Sequence, residues 1–228
     1  MHMFDGLYWI LTLPALAFSI WAQFKVKRTF SRYSKVGVRS GMTGAEAAAA
    51  VVRAGGAQGV TIERHRGFLS DHYDPRTRKL RLSPEVYDGR SVSSVAVGAH
   101  EAGHSIQHAV GYAPLTLRTQ LVPMVQIGSY LWYWPFILGL IMHMSGLIWV
   151  GVILFSAVVL FQLVTLPTEF NASNRAKAVL ASAGIVTTQE EAVGVSKVLD
   201  AAAMTYVAAL AASVMQLIYM ILRAQDRR

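Results

Sequence analysis

Residues 91–111, SVSSVAVGAHEAGHSIQHAVG, contain His100-Glu101-Ala102-Gly103-His104, an H-E-x-x-H pattern. Residues four apart lie above one another on one face of an α-helix, so His100 and His104 can offer two imidazole nitrogens to a single zinc ion. Glu101 sits about a third of a turn round, within reach of a water on that ion but poorly placed as a third ligand. Zinc brings such a water's pKa toward neutrality, and a carboxylate beside it can take the proton and pass it to a leaving amine. Chance alone puts two His and one Glu at these offsets in on the order of one such chain in a few hundred. The surroundings of the motif therefore decide its meaning.

Those surroundings are helical. Val92, Val95, Ala96, Ala99 and Ile106 recur at three- and four-residue spacing, Ser91 can cap the start, and Gly111 followed by Pro114 gives a stop. A buried helix with incidental histidines is the plainer reading. It would leave a glutamate and two imidazoles buried without partners, which is costly.

Outward from this helix, the 228-residue chain is 54% hydrophobic and only 15% charged, too apolar for an ordinary soluble domain. Residues 4–24, about 125–144, 147–166 and about 201–222 carry the excess, each near 20 residues long and nearly free of charge. Each can cross a hydrocarbon core of about 30 Å as a helix. The first lacks a small-residue cleavage site and is flanked by Asp5 rather than a basic run, so it reads as an anchor and not a removed signal peptide. With no cysteine, thiolate metal sites are excluded and a zinc site must draw on His, Asp or Glu.

The net charge of +8 is uneven. Lys25, Lys27, Arg28, Arg32, Lys35 and Arg39 follow the first span with no acid among them. Such a collar contacts anionic lipid and marks the cytoplasmic face. Nothing near it resembles a groove-reading element, so no nucleic-acid partner is expected. Four spans place segments 25–124 and 167–200 on one side of the membrane, and with them His100, His104 and Glu169. Arg223, Arg227 and Arg228 near the C-terminus argue for the opposite orientation, but the larger run near the first span is given more weight.

Thr43-Gly44-Ala45-Glu46 has the form of a capping box opening an Ala-rich helix that ends at Gly55-Gly56. In residues 59–83 Val60 and Ile62 alternate with polar neighbours, as do Leu80 and Leu82 after the turn-forming Asp74-Pro75-Arg76-Thr77. This predicts a small sheet containing a hairpin. A sheet edge beside the H-E-x-x-H helix can hold a peptide extended by strand addition, although a hairpin that merely covers the helix fits equally well. A linker through Pro114 and Pro123 then leads to the second span. His143 falls in the short turn before the third span and is given no role. Pro167 suits the first turn of a new helix running to about Ala183, and Thr187 or Thr188 with Glu190 and Glu191 caps a helix leading into the last span.

A catalytic zinc takes three protein ligands and keeps one position open. Candidates for the third are His108, His72, Asp71, Asp74 and Glu169. His108 continues the series on the same helix but one turn too far along. The polar cluster Asp71-His72-Tyr73-Asp74 can line a cleft. Glu169, opening a helix on the correct side of the membrane, is preferred over the reading that it only complements the helix dipole.

Several stretches carry a family resemblance: WAQFKVKRTFSRYSKV (21–36), DHYDPRTRKLRLSPEVYDGRS (71–91), AHEAGHSIQHAVGYAPL (99–115) and LVTLPTEFNASNRA (163–176). Together they resemble the YugP-like neutral zinc metallopeptidases of bacterial membranes, over nearly the whole chain. The chain is more distantly similar to the gluzincin-type HtpX-like proteases and CAAX prenyl endopeptidases. The resemblance implies zinc as cofactor, His100, His104 and Glu169 as ligands, and Glu101 as general base. It departs from the wider pattern at Ser173, four residues after the implied ligand Glu, where Asp often orients a zinc-bound His. A hydroxyl can still do so. Asn171-Ala172-Ser173 spells a glycosylation sequon, taken as incidental in a cytosolic segment.

The expectation is thus a mostly α membrane protein with about four transmembrane helices and a small α+β zincin-like catalytic domain on one membrane face. It would be a zinc endopeptidase of the bacterial inner membrane acting on peptides or membrane proteins at the cytoplasmic surface. Tyr73, His72 and Arg175 are candidate oxyanion donors. Two alternatives stand beside it. One is a membrane scaffold or chaperone with a structural zinc closed by a fourth ligand (His72 or His108). The other is a site-2-type intramembrane protease, with residues 91–110 as a span. That type takes its third ligand from a later Asp-Gly motif, whereas both Asp-Gly pairs here, Asp5-Gly6 and Asp88-Gly89, precede His100.

Overall fold

A computed structural model describes residues 6–67 and 70–226. Phe4 and Asp5 at the start of the expected first span, Phe68 and Leu69 within the expected sheet region, and Arg227 and Arg228 lie outside the described residues. The helices are α1 (Gly6–Tyr33), α2 (Gly44–Ala54), α3 (Pro84–Tyr87), α4 (Val92–Ala109), α5 (Ala113–Leu131), α6 (Tyr133–Met142), α7 (Ser145–Ser182) and α8 (Gln189–Gln225). Between α2 and α3 the described residues form β1 (Thr61–Arg64), β2 (His72–Asp74) and β3 (Lys79–Leu82). The result is a mostly helical membrane protein with a small mixed sheet. Among the described residues, four helical stretches, Gly6–Tyr33, Ala113–Met142, Ser145–Ser182 and Gln189–Gln225, are long and apolar enough to cross a membrane.

The chain divides into two compact units. One comprises Met1–Gln23, Leu117–Leu166 and Met204–Arg228. Its core holds Phe136, Ile148, Phe155, Tyr219 and Met220. Gly139 backs onto the Ile148 backbone and Gly151 onto Phe136, so α6 and α7 meet as a close hairpin with no room for a Cβ at either glycine. Ile10, Ile127, Ile141, Ile153 and Leu163 point outward and exposed, as suits a lipid-facing surface.

The other unit, Phe24–Thr116 with Pro167–Ala203, carries the H-E-x-x-H helix. Here α4 is the hub: it packs against α2, α3, β2 and β3. Val92, Val95, Ala96, Ala99 and Ala102 are fully buried, joined by Val51, Leu80, Leu82, Leu180 and Ile185. The sheet order is β1-β3-β2, with β1 parallel and β2 antiparallel to β3. β2 and β3 form the hairpin, and β2 is an edge strand.

Local chemistry explains the boundaries. Thr43 Oγ1 accepts from Glu46 N while a Glu46 carboxylate oxygen accepts from Thr43 N, completing the capping box of α2. The same reciprocal pair joins Thr188 and Glu191 at the start of α8. Ser91 caps α4 through Ser94 N. At the end of α4, Gly111 takes φ +63°, while Gly111 N and Tyr112 N donate to the carbonyls of His108 and Gln107. That is a Schellman closure, repeated with Gly56 after α2 and Gly184 after α7.

Three prolines behave differently from the sequence expectation. Pro123 lies inside α5 rather than in a linker, and Pro167 lies inside a continuous α7 rather than opening a new helix. A proline removes one intrahelical hydrogen bond and strains one turn, and long apolar helices with good neighbours absorb that. Pro114, in the first turn of α5, starts a helix at a position where its missing N–H costs nothing.

Candidate metal centre

The stripe His100, Gly103, His104 and Gln107 on α4 faces the turn of α7 that holds Thr168, Glu169, Ala172 and Ser173. The approach is close because Gly103 presents bare backbone to Ala172. This brings Glu169 Oε2 to 3.1 Å from His100 Nε2 and 3.6 Å from His104 Nε2. One donor atom from each of these three residues lies within 4.8 Å of the others. Two ligand atoms bound tetrahedrally at about 2.0–2.1 Å are themselves about 3.3 Å apart. The observed spacings straddle that value, and two imidazoles with one carboxylate are a donor set that suits zinc.

Glu169 is only 1% exposed. Burial pushes its carboxyl up, but hydrogen bonds and charge from His100 and His104 outweigh burial and hold it well below the usual carboxylate range. Both imidazoles are supported on their far side. His100 Nδ1 lies 3.1 Å from Ser173 Oγ, and His104 Nδ1 lies 2.9 Å from Gln107 Oε1. Glu101, the next residue round on α4, is half-buried.

The other sequence candidates are engaged elsewhere. Asp71 accepts from Ser83 N and Ser83 Oγ, and burial pushes its carboxyl up despite those bonds. Asp74 accepts from Arg76 N and Thr77 Oγ1 within the hairpin turn. His72 contacts Ser70 O and Arg81 Nη1. His108 Nδ1 lies 2.9 Å from Tyr73 Oη, whose phenol is pushed up by burial. Arg175 Nε donates to Asn171 Oδ1. Among the described residues, none of these joins the three-donor cluster.

Gln107 escaped the sequence reading. It is fully buried, and its Nε2 donates to Thr168 O at 2.8 Å and Asn171 Oδ1 at 3.0 Å. The available signal was its position three after His104, on the same helical face.

Four apolar helices and a His-His-Glu donor set define a membrane protein with a candidate zinc centre. The chain belongs to the family described as "Putative neutral zinc metallopeptidase", whose sequence model matches residues 8–225. It is 49% identical over 212 residues to "Putative membrane protease YugP" of Bacillus subtilis (strain 168), covering 93% of this chain and 94% of that relative. No solved structure matches it.

Proposed function

We propose that the chain is a membrane-anchored, gluzincin-type zinc endopeptidase in which His100, His104 and Glu169 hold the metal and Glu101 is the general base. The observation that carries this reading is Glu169, a buried carboxylate from a distant segment, 3.1 Å from His100 Nε2. When bound, zinc supplies Lewis acidity that acidifies a water and polarises a peptide carbonyl. Glu101 takes the water's proton during attack and delivers it to the departing amine. Ser173 and Gln107 hold the two imidazoles in position.

The substrate is a peptide or membrane protein segment presented at the bilayer surface. The β2 edge packs against α4 and offers a strand to which an extended chain can add. Tyr73 lies on that strand and Arg175 on α7, and each is a candidate to steady the developing oxyanion. The basic run Lys25–Arg39 follows the apolar part of α1 and supports contact with anionic lipid and a cytoplasmic site in a bacterial inner membrane. On this reading residues 25–124 and 167–200 form the catalytic region and the four apolar segments the anchor.

A scaffold with a structural zinc would need a closed, four-ligand site. The described residues gather three donors, which favours catalysis. An intramembrane protease would need α4 to span the bilayer, yet α4 is not among the helices apolar enough to do so. The test is cleavage of an unfolded protein by purified, zinc-loaded chain in detergent beside Glu101→Gln, with zinc content measured in both. Cleavage by the parent alone supports the mechanism. Equal cleavage by both removes Glu101 as the base, and cleavage by neither, with zinc bound in both, moves the reading to a scaffold.

A further inference from the structure

Gln107 is a fully buried amide whose two ends face different helices. Its orientation follows from its partners. Thr168 O, 2.8 Å away, is a carbonyl and can only accept. Asn171 Oδ1, 3.0 Å away, already accepts from Arg175 Nε, a group that can only donate, at 2.7 Å. Both contacts demand the amide nitrogen of Gln107. Its oxygen is therefore the atom 2.9 Å from His104 Nδ1. An oxygen there is satisfied only by a proton on Nδ1. In the neutral ring this leaves the lone pair on Nε2, the atom 3.6 Å from Glu169 Oε2.

We propose that Gln107 is a positioning residue that locks His104 in the tautomer that donates its Nε2 lone pair to the metal. The inference rests on the zinc-site reading given above. Thr168 and Asn171 flank Glu169 in sequence, so the residue that sets the tautomer is also anchored beside the third ligand. Arg175 completes the relay: it holds the Asn171 amide, which holds the Gln107 amide, which holds the imidazole. The helix face needed for this is shared with Gly103, whose missing Cβ allows α4 and α7 to approach.

The test uses the full chain in detergent, with zinc affinity measured by chelator competition and thermal unfolding measured on the zinc-free form. Gln107→Met keeps the length but offers no acceptor. Gln107→Glu restores an acceptor for His104 Nδ1 while facing the Thr168 carbonyl with a group that cannot donate. Loss of a ligand's supporting partner typically lowers metal affinity about 10–100-fold, and that loss is expected for Q107M. Q107E should bind zinc to within a few-fold of the parent, even though both zinc-free variants unfold at lower temperature. Parental zinc affinity in Q107M overturns the proposal. So does an equal loss in both variants, because zinc binding would then track helix packing and not the acceptor. Should Q107M fail to fold, Q107E decides alone: affinity near the parent's supports the role, and a tenfold loss overturns it. His104→Ala controls the premise, since zinc binding unchanged there would remove the zinc-site reading itself, and this inference with it.

Discussion

Gly103 of α4 lies directly against Ala172 of α7: a Cβ built on Gly103 would sit 2.5 Å from the Ala172 carbonyl oxygen and 3.3 Å from its Cα. Neither obstacle is a flexible side chain, so any residue larger than glycine must push the helices apart. The three donors come from these same two helices. A shift of about 1 Å spoils a coordination set whose bond lengths vary by only about 0.2 Å. Gly103→Ala should therefore lower zinc affinity at least tenfold, abolish cleavage, and cost about 1–3 kcal/mol from overpacking. Zinc content after dialysis against a weak chelator reads this directly. A fully zinc-loaded Gly103→Ala variant would contradict the close-approach argument.

Much of this was open to reading from the chain itself because local chemistry settled it. The four apolar stretches, the capping boxes at Thr43 and Thr188, and the glycine closures at Gly56, Gly111 and Gly184 each depend on neighbouring residues. Glu169 was reachable through the topology of the spans and the family resemblance. Three features were not legible. Pro123 and Pro167 carry a breaker signal that long-helix packing overrides. The parallel pairing of β1 with β3 depends on a crossover whose direction no local pattern encodes. Gln107 and Gly103 gain meaning only once α7 lies against α4, a contact across more than sixty residues of sequence.

Ser173 gives a graded counterpart to Gly103. Its hydroxyl lies 3.1 Å from His100 Nδ1, while the ring's other nitrogen faces Glu169. Removing the hydroxyl frees the imidazole to turn without disturbing helix contact. Ser173→Ala should weaken zinc binding by about tenfold, at the low end for a supporting partner because a neutral hydroxyl orients a ring less firmly than a carboxylate. Ser173→Asp should recover the loss. Chelator competition on the two variants measures both, and parental affinity in the alanine variant would remove Ser173 from the site's support.

Stability should depend on pH through Glu191, in the first turn of α8 and ahead of its apolar stretch. Burial pushes this carboxyl up, but N–H groups of Arg39, Thr187 and Thr188 donate to it and hold it below the usual carboxylate range. A carboxyl with a lowered folded-state pKa stabilises fully above its unfolded value and loses that contribution as pH falls through the folded one. At neutral pH Glu191→Gln should be less stable by about 1–3 kcal/mol. The gap to the parent should narrow as the medium is acidified below the ordinary carboxylate range. Thermal unfolding at a series of pH values decides it, and a gap that stays constant would show that charge is irrelevant there.

Metal removal separates a catalytic zinc from a structural one. The unit carrying the centre has its own apolar core, built around Val51, Leu80, Val95, Leu180 and Ile185, and Gln107 bridges α4 to α7 with no metal involved. Glu169 is already engaged by the two imidazoles. The chelated chain should therefore keep its helical circular dichroism while losing activity. Zinc returned at about a hundred times its dissociation constant should raise stability by about 2.7 kcal/mol through mass action alone. In His104→Ala that increment should vanish while the helical signal remains. Collapse of the helical signal on chelation would mean that the metal holds the fold together, and the case for a scaffold would then outweigh the case for an enzyme.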